Sequence, residues 1–165
     1  DNKESMQTAV SHLLEMGYKN LAFVAYKSSL QHMKDREQGF LDASATIQSK
    51  VYKINFSKQQ QELNKVLNEI LETQKADAIV FATNTLSVAG LKYLTQKGVK
   101  IPKDLNVMCF DFSEVYDFFY HPIIHVKQPI EQLAKDSVVA LTQQMKDHAI
   151  QKKVLRSELI AKTRA

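Results

Sequence analysis

Three short apolar runs, separated by longer segments with helical spacing, most constrain how this chain folds. The runs are Leu21 to Ala25, Ala78 to Ala82 and Val107 to Phe110. A strand made only of apolar residues is buried on both faces, which is typical of a parallel sheet covered by helices on each side. The sequence therefore predicts an α/β fold, a doubly wound parallel sheet with helices on both faces.

The segments between and after these runs supply the other elements. A first helix is expected to end at Gly17, and the clearest amphipathic helix follows a short strand from Val51 to Ile54. Its apolar face consists of Leu63, Val66, Leu67, Ile70 and Leu71. Further strands are predicted from Ile123 to Lys127 and from Val154 to Ile160. Pro129 suits the first turn of a long helix that runs to about residue 147.

Composition narrows the class of protein. The 165 residues are 44% hydrophobic and 24% charged, which is ordinary for one soluble globular domain. No apolar run approaches the roughly 20 residues that span a bilayer, so we expect a soluble protein with no membrane partner. No signal peptide is visible, although the chain starts at Asp1 without an initiator Met. The single cysteine, Cys109, excludes an internal disulfide and fits a reducing cytoplasm.

The charge and the reactive side chains point to neither nucleic-acid contact nor catalysis within this chain. The net charge of +4 comes mostly from lysines interleaved with acidic residues, and the densest basic group (Lys152, Lys153 and Arg156) is too small to track phosphates. The five histidines lack metal-ligand spacing, so no metal site is predicted. No phosphate-binding loop or nucleophile elbow occurs, so neither a cofactor nor an enzyme is expected.

Several side chains suited to ligand binding follow the predicted strands at the points where the strands end. Phe56 comes after the second strand, Asn84 after the third and Asp111 after the fourth, and the loop after the first strand leads to Arg36. In open parallel sheets, ligands bind beyond the carboxyl ends of the strands. A carboxylate, a guanidinium, an amide and an aromatic ring together suit a polyhydroxylated small molecule.

Each of these residues also has a structural explanation. Asn84 is well placed as a helix N-cap, Asp111 can close a turn, Arg36 can pair with a neighbouring carboxylate, and Phe56 can belong to the core. For each residue taken singly, the structural role is favoured. For the four residues taken together at the strand ends, a ligand site and purely structural roles are equally supported. Two roles also remain open for the aromatic residues after Asp111, a core plug or a contact surface, with the surface favoured. These residues are Tyr116, Phe118, Phe119 and Tyr120.

Longer motifs add a family resemblance. The segment AIVFATNTLSVAGLKYLTQKGVKIPKDLNVMCFDF, followed by HPIIHVKQPIEQLAKDSV, resembles the effector-binding domain of bacterial LacI/GalR-type transcription regulators. Upstream, DNKES, HLLEMGYKNLAFV and DREQGFLDA are similar to motifs that precede this stretch in that family. The likeness covers nearly the whole chain in the right order. It implies a periplasmic-binding-protein-like fold, mainly the C-terminal lobe.

The resemblance also implies which residues contact an effector. The family's contact positions fall on Arg36, Phe56, Asn84, Asp111 and Gln128. Where the family usually has acidic residues beside the cleft, this chain has Thr85 and Phe112, so the effector is expected to differ from the family's common hexoses and purines. Cys109 and Ser5 replace family glycines.

The family's organisation sets the expected domains and partners. Residues 1–127 and 150–165 are expected to form the C-terminal lobe, and residues 128–149 a helix belonging to an N-terminal lobe that this chain lacks, as it lacks the DNA-binding helix-turn-helix. That helix is expected to expose an apolar face and to repack or self-associate. The resemblance implies a cytoplasmic homodimer that binds a sugar-like effector and reaches operator DNA through the missing domain. The alternatives are a periplasmic sugar-binding protein of a transporter and, third, an enzyme of the doubly wound class.

Overall fold

The computed structural model describes residues 1–148, 150 and 152–161, and these residues form an α/β fold with one sheet. The strands are β1 (Asn20–Tyr26), β2 (Gln48–Ile54), β3 (Ala78–Phe81), β4 (Asn106–Phe110), β5 (Ile124–Lys127) and β6 (Glu158–Ile160). The helices are α1 (Asn2–Glu15), α2 (Gln31–Ala43), α3 (Gln59–Glu69), α4 (Asn84–Gln96) and α5 (Ile130–Asp147). Short 3-10 turns cover Phe56–Lys58 and Glu114–Phe118, and a π-helical turn, Ile70–Gln74, extends α3.

The sheet has the order β2-β1-β3-β4-β5-β6, and its first five strands are parallel, as predicted. The exception is β6, which pairs antiparallel with β5. The predicted final strand from Val154 to Ile160 was too long, since only Glu158–Ile160 joins the sheet. Just before it, the backbone N–H of Ser157 donates to the carboxylate of Asp1 at 3.2 Å and so binds a side chain in place of a strand.

Two apolar cores lie on opposite faces of the sheet because successive strand residues point to opposite sides. In β1, Leu21 and Phe23 pack under α1 and α2, where Phe23 stacks on Phe40 with ring centroids 4.9 Å apart. Ala22 and Val24 face the other way, into the core formed with α3 and α4. The continuous apolar runs are therefore strands buried on both faces, as the sequence predicts.

Helices α1 and α2 approach each other closely at Gly39. A Cβ atom at this position would lie 2.4 Å from the backbone carbonyl oxygen of Lys3, well inside van der Waals contact. Since that oxygen belongs to the backbone, only a shift of a helix would make room for a side chain. The missing Cβ therefore sets the distance between the two helices and brings the first turn of α1 against α2.

Helix α5 has the bounds predicted for it but does not pack into either core. None of its residues with a described side chain is buried, and Met145 is 83% exposed. The apolar face predicted from the sequence is therefore open to solvent in this chain. Its members are Ile130, Leu133, Leu141 and Met145, with Ser137 on the same face.

Candidate functional site

The site begins with a buried guanidinium at the carboxyl end of the sheet. Arg36, on α2, is only 4% exposed, and its guanidinium carbon lies 3.8 Å above the ring centroid of Phe110. Its Nη1 donates to the carbonyl oxygen of Ala82 at 2.7 Å and to Oδ2 of Asp111 at 3.1 Å. Its Nε donates to Oδ1 of Asn2 at 2.8 Å. The expected alternative, a surface ion pair, is therefore wrong.

Burial and the nearby carboxylate act in opposite directions on this guanidinium. Burial lowers the pKa of Arg36 because it removes water from the charged form, and the negative charge of Asp111 opposes that effect. A buried charge is tolerated when it is paired and hydrogen-bonded. Arg36 and Asp111 therefore neutralise each other's charge. Together they place hydrogen-bonding groups in a fixed position at the base of the candidate site.

Asp111 carries the other half of this pair and has unusual backbone geometry. It follows β4 directly with φ of 74°, in the left-handed region that Asp tolerates better than most residues. Its carboxylate is 22% exposed and also accepts a hydrogen bond from Nε2 of Gln128. Residues from α2, from the end of β4 and from the segment after β5 thus converge here, as the predicted ligand site requires.

Asn84 lies near Asp111 and stabilises the same part of the sheet edge. It is not the N-cap of α4, so the structural role expected for it is wrong. The cap of α4 is Thr83, whose hydroxyl accepts from the backbone N–H of Leu86 at 3.4 Å. Asn84 is the first residue of α4, and its Nδ2 donates to the carbonyl oxygen of Phe112 at 2.9 Å. This bond ties the end of β3 to the end of β4 and leaves Asn84 beside Asp111.

Phe56 occupies a separate position at the same edge of the sheet. It is 72% exposed, so the alternative of a core residue is wrong, and its ring meets Tyr26 edge-on at 5.3 Å between centroids. Among the described residues, no recorded contact links Phe56 to Arg36 or Asp111. In the order of the sheet, β1 and β3 lie between its strand and β4. Phe56 therefore lies outside the central network around Arg36 and Asp111.

An open cavity of about 450 Å³ begins at Asp111 and runs along the segment that leads into α5. Its lining residues are Asp111, Phe112, Lys127, Gln128, Pro129, Ile130, Glu131, Gln132 and Lys135. A larger groove of about 550 Å³ beside the first turn of α1 contains none of the five predicted contact residues. We place the candidate site at the smaller cavity because two predicted contact residues, Asp111 and Gln128, line it. Arg36, Asn84 and Phe56 are not among its lining residues, and Arg36 reaches it only through its bond to Asp111. Its mixed polar and apolar lining suits a small organic molecule.

Sequence reasoning missed two parts of this arrangement. The carbonyl oxygen of Ala82 has no side-chain signal, and Asn2 had only its place in the Asp-Asn pair of the family resemblance. Both become visible only when the distances to Arg36 are known. They complete the hydrogen bonding of the guanidinium from β3 and from α1.

The thiol and the histidines do not form a metal-binding group in the described residues. Cys109 lies fully buried in β4, and burial raises the pKa of its thiol to about 12. The thiol therefore belongs to the core, in a setting that disfavours the reactive thiolate. Within residues 1–148, 150 and 152–161, no group of three or more His, Cys, Asp or Glu side chains is arranged to hold a metal ion.

The aromatic segment after β4 divides between the two roles considered for it. Tyr116 is buried, and its hydroxyl lies 2.6 Å from the Ser87 hydroxyl. Phe118 is 89% exposed and Tyr120 is half exposed, although the Tyr120 hydroxyl accepts from the backbone N–H of Ile101 at 2.6 Å. Tyr116 is thus a core plug, and Phe119 is partly buried against the same core. Phe118 and Tyr120 instead present an apolar surface.

The chain thus combines a predominantly parallel, doubly wound sheet with a polar cluster at the carboxyl ends of its strands. Comparison with known proteins identifies the class of protein to which it belongs. Residues 10–163 match the family model described as the periplasmic binding protein-like domain. The chain belongs to this family.

The similar proteins are DNA-binding regulators. Over its full length the chain is 23% identical to the HTH-type transcriptional repressor PurR of Aliivibrio fischeri, of which it covers 51%. Over 93% of its length it is 27% identical to the HTH-type transcriptional regulator DegA of Bacillus subtilis, of which it covers 47%. The chain thus spans about half the length of these curated relatives. The resemblance to LacI/GalR-type regulators is confirmed.

Solved structures agree on the fold. A LacI family transcriptional regulator from Enterococcus faecalis with bound ribose superposes with a TM-score of 0.84 at 21% identity, covering 98% of this chain and 60% of that one. The transcription regulator CcpA of Lactococcus lactis superposes equally well at 22% identity, with 61% of its chain covered. In the described residues, no helix is both long and apolar enough to cross a membrane.

Proposed function

We propose that this chain is an effector-sensing lobe of a LacI-type DNA-binding transcription regulator, and that its effector is a sugar or sugar derivative. The observation that carries the proposal is the Arg36–Asp111 pair, 3.1 Å apart at the carboxyl edge of the sheet, with Gln128 donating to the same carboxylate. In this proposal the Asp111 oxygens accept from neighbouring hydroxyls of the ligand and Arg36 donates to it.

Asn84 and Phe56 have supporting roles in this proposal. Asn84 uses Nδ2 to hold the carbonyl oxygen of Phe112, which leaves its Oδ1 to accept from a ligand hydroxyl. Phe56 presents an exposed ring to which the apolar face of a sugar can stack. Phe112, found where the family usually has an acidic residue, lines the cavity and makes it more apolar.

Effector binding controls DNA affinity only if the ligand prefers one arrangement of the regulator over another. Gln128 lies between β5 and α5, so its bond to Asp111 connects the site to the helix that we assign to a second lobe. We assign residues 1–127 and 150–165 to one lobe and residues 128–149 to its neighbour. Of these, residues 149, 151 and 162–165 lie outside the described residues. Operator DNA is contacted by a helix-turn-helix outside these residues, in a cytoplasmic homodimer.

Two exposed apolar surfaces support association with other protein surfaces. One is the face of α5 that includes Leu133, Leu141 and Met145, and the other is the pair of rings Phe118 and Tyr120. Contiguous exposed apolar surface is typical of interfaces. The homodimer uses such surfaces in the intact regulator. The named relatives are transcription regulators, which favours this function over a transporter's sugar-binding protein.

Ligand binding by the full-length protein tests the proposal. Thermal shift and calorimetry with a panel of mono- and disaccharides, including ribose and maltose, are expected to find at least one that raises the melting temperature. Arg36→Ala and Asp111→Ala are expected to abolish that shift. The matched control is Asp77→Ala, since this carboxylate binds the backbone N–H groups of Lys19 and Asn20 at the opposite edge of the sheet.

The control separates loss of the site from loss of stability. Asp77→Ala is expected to lower the melting temperature of the free protein while leaving the sugar-induced shift intact. A panel in which no sugar shifts the wild-type protein, or an Asp111→Ala variant with an unchanged shift, would show that the proposed site is wrong.

A further inference from the structure

We propose that Asn2 is a positioning residue of the effector site, whose side-chain oxygen holds the Arg36 guanidinium in the orientation that turns Nη2 toward the ligand. The consequence for ligand binding rests on the function proposed above. The positioning itself rests only on contacts within this chain. Asn2 lies in the first turn of α1, so in the sequence it precedes every strand and the rule based on strand ends does not select it.

Three elements supply acceptors to two nitrogens of the guanidinium, Nε and Nη1. Helix α1 supplies Oδ1 of Asn2, which accepts from Nε at 2.8 Å. Strand β3 leads to Ala82, whose carbonyl oxygen accepts from Nη1 at 2.7 Å. The residue after β4, Asp111, accepts from Nη1 at 3.1 Å. The planar group presents fixed donors, so acceptors on its Nε and Nη1 edges determine where its remaining edge points.

That remaining edge is the Nη2 nitrogen. Both hydrogens of Nη1 have acceptors, and the single hydrogen of Nε is taken by Asn2. Nη2 makes only one long contact in the described residues, 3.5 Å to Oδ1 of Asp111. It therefore has donor capacity left beside Oδ1 of Asp111, in a carboxylate whose side chain is 22% exposed. A ligand hydroxyl placed between them would accept from Nη2 and donate to Asp111.

Asn2 provides a constraint that the other two partners do not. Ala82 and Asp111 both bind through Nη1, so Asn2 is the partner that holds the opposite end of the planar group, at Nε. Loss of Asn2 would also leave the Nε hydrogen unsatisfied in a side chain that is 4% exposed, which is unfavourable. The guanidinium would then rotate toward another acceptor and carry Nη2 away from its position beside Asp111.

The packing of α1 on α2 supplies an independent reason for this contact. Gly39 lies one turn after Arg36 on α2, and Lys3 follows Asn2 on α1. The absence of a Cβ at Gly39 lets the carbonyl oxygen of Lys3 approach to within 2.4 Å of where that atom would be. This close approach brings the short side chain of Asn2 within reach of Nε.

Three variants of this chain test the positioning directly. Asn2→Ala removes the acceptor, and Asn2→Asp keeps an oxygen at the same place and suits the first turn of a helix. Gln7→Ala is the matched control, because Gln7 is another α1 amide that reaches α2, where its Nε2 donates to Asp42 at 3.3 Å. The readout is the Nε–Hε signal of Arg36 in ¹H–¹⁵N NMR spectra and its rate of hydrogen exchange.

We expect Asn2→Ala to accelerate exchange of this hydrogen about tenfold, and Asn2→Asp and Gln7→Ala to leave the rate nearly unchanged. An unchanged exchange rate in Asn2→Ala overturns the proposal whatever the ligand is. This readout needs no effector, so it decides on Asn2 even if no sugar in the panel binds the wild-type protein and the proposed function fails.

The second readout is the affinity of the full-length protein for ribose and maltose by calorimetry. For whichever of these sugars binds, Asn2→Ala is expected to weaken binding about tenfold, the size of one lost charged hydrogen bond. Asn2→Asp is expected to restore most of that affinity, and Gln7→Ala to leave it unchanged. Faster exchange in Asn2→Ala with full affinity for a bound sugar would refute the role of Asn2 in the site.

Discussion

Arg36 and Asp111 are 75 positions apart in the sequence, yet Nη1 of Arg36 lies 3.1 Å from Oδ2 of Asp111. The two residues come from α2 and from the residue after β4, which lie on the same edge of the sheet because β1, β3 and β4 are parallel. The pair is both a stability element and the base of the proposed site. Substitutions at it must therefore be measured for stability as well as for binding.

Removing the carboxylate of Asp111 is expected to destabilise the chain. Asp111→Ala leaves the buried Arg36 without its counter-charge, and we expect the free energy of unfolding to fall by about 2 to 3 kcal/mol. Asp111→Asn should cost less, since its amide oxygen still accepts a hydrogen bond and Asn tolerates a φ of 74°. Urea denaturation followed by circular dichroism measures both. Equal stability of Asp111→Ala and wild type would contradict this prediction.

A methyl group at Gly39 is expected to separate α1 from α2. Gly39→Ala would place Cβ 2.4 Å from the carbonyl oxygen of Lys3, so we expect a loss of about 2 kcal/mol in the free energy of unfolding. Lys34→Ala, an exposed position on the same helix, is the control and should change it by less than about 0.5 kcal/mol. Gly39→Ala would also disturb the contact between Asn2 and Arg36, which the NMR signal of Nε–Hε would report.

The buried thiol of Cys109 is expected to make stability fall at high pH. Its pKa rises from an ordinary value of 9.0 to about 12 in the folded chain because of burial, so between these values the folded state holds a proton that the unfolded state has lost. The free energy of unfolding should therefore decrease as pH rises from about 9 toward about 12. Denaturation midpoints across this range measure the slope.

The matched variant for this effect is Cys109→Ala. Burial also raises the pKa of Tyr116, which contributes in the same direction, so the variant should keep part of the decline and lose the part due to the thiol. In native protein at pH 8, the Cys109 thiol should resist a thiol reagent until the chain unfolds. Rapid labelling of the folded chain would refute a buried, neutral thiol.

The exposed face of α5 is expected to cause self-association of the chain on its own. Leu133 and Leu141 are more than half exposed, and burying them against a second copy is favourable. Sedimentation velocity should show a concentration-dependent shift to larger species, which Leu133→Ser together with Leu141→Ser reduces. Phe118→Ser tests whether the aromatic surface contributes separately. A strictly monomeric profile at all concentrations, with α5 in solvent, would refute the prediction.

The fold followed closely from local sequence because its signals are local. A run such as Leu21 to Ala25 is apolar at every position, and only a strand buried on both faces accommodates it. Gly17, at positive φ, follows the helix whose end it predicted. The final strand was overpredicted, because the sequence alone does not show that Ser157 is bound by Asp1.

The site was only partly predictable. The rule that ligands bind beyond the carboxyl ends of strands selected Arg36, Asn84 and Asp111 without knowledge of their contacts. The same rule did not distinguish Thr83 from Asn84 as the cap of α4, because the choice depends on backbone dihedral angles at the turn. It also did not separate the buried Tyr116 from the exposed Phe118, since irregular segments have no periodicity that assigns side chains to a face.

By itself, the sequence determined the alternation of strands and helices, the two-faced burial of the central strands and the family to which the chain belongs. The strands and helices depend on residues within a few positions of one another in the sequence. The family resemblance depends on motifs that occur in the family's order along the chain. Only the tertiary structure decided that Asn2, Ala82, Asp111 and the aromatic ring of Phe110 all meet at Arg36. The order of the strands and the close approach of α1 and α2 create those contacts, and both depend on packing between residues far apart in the chain.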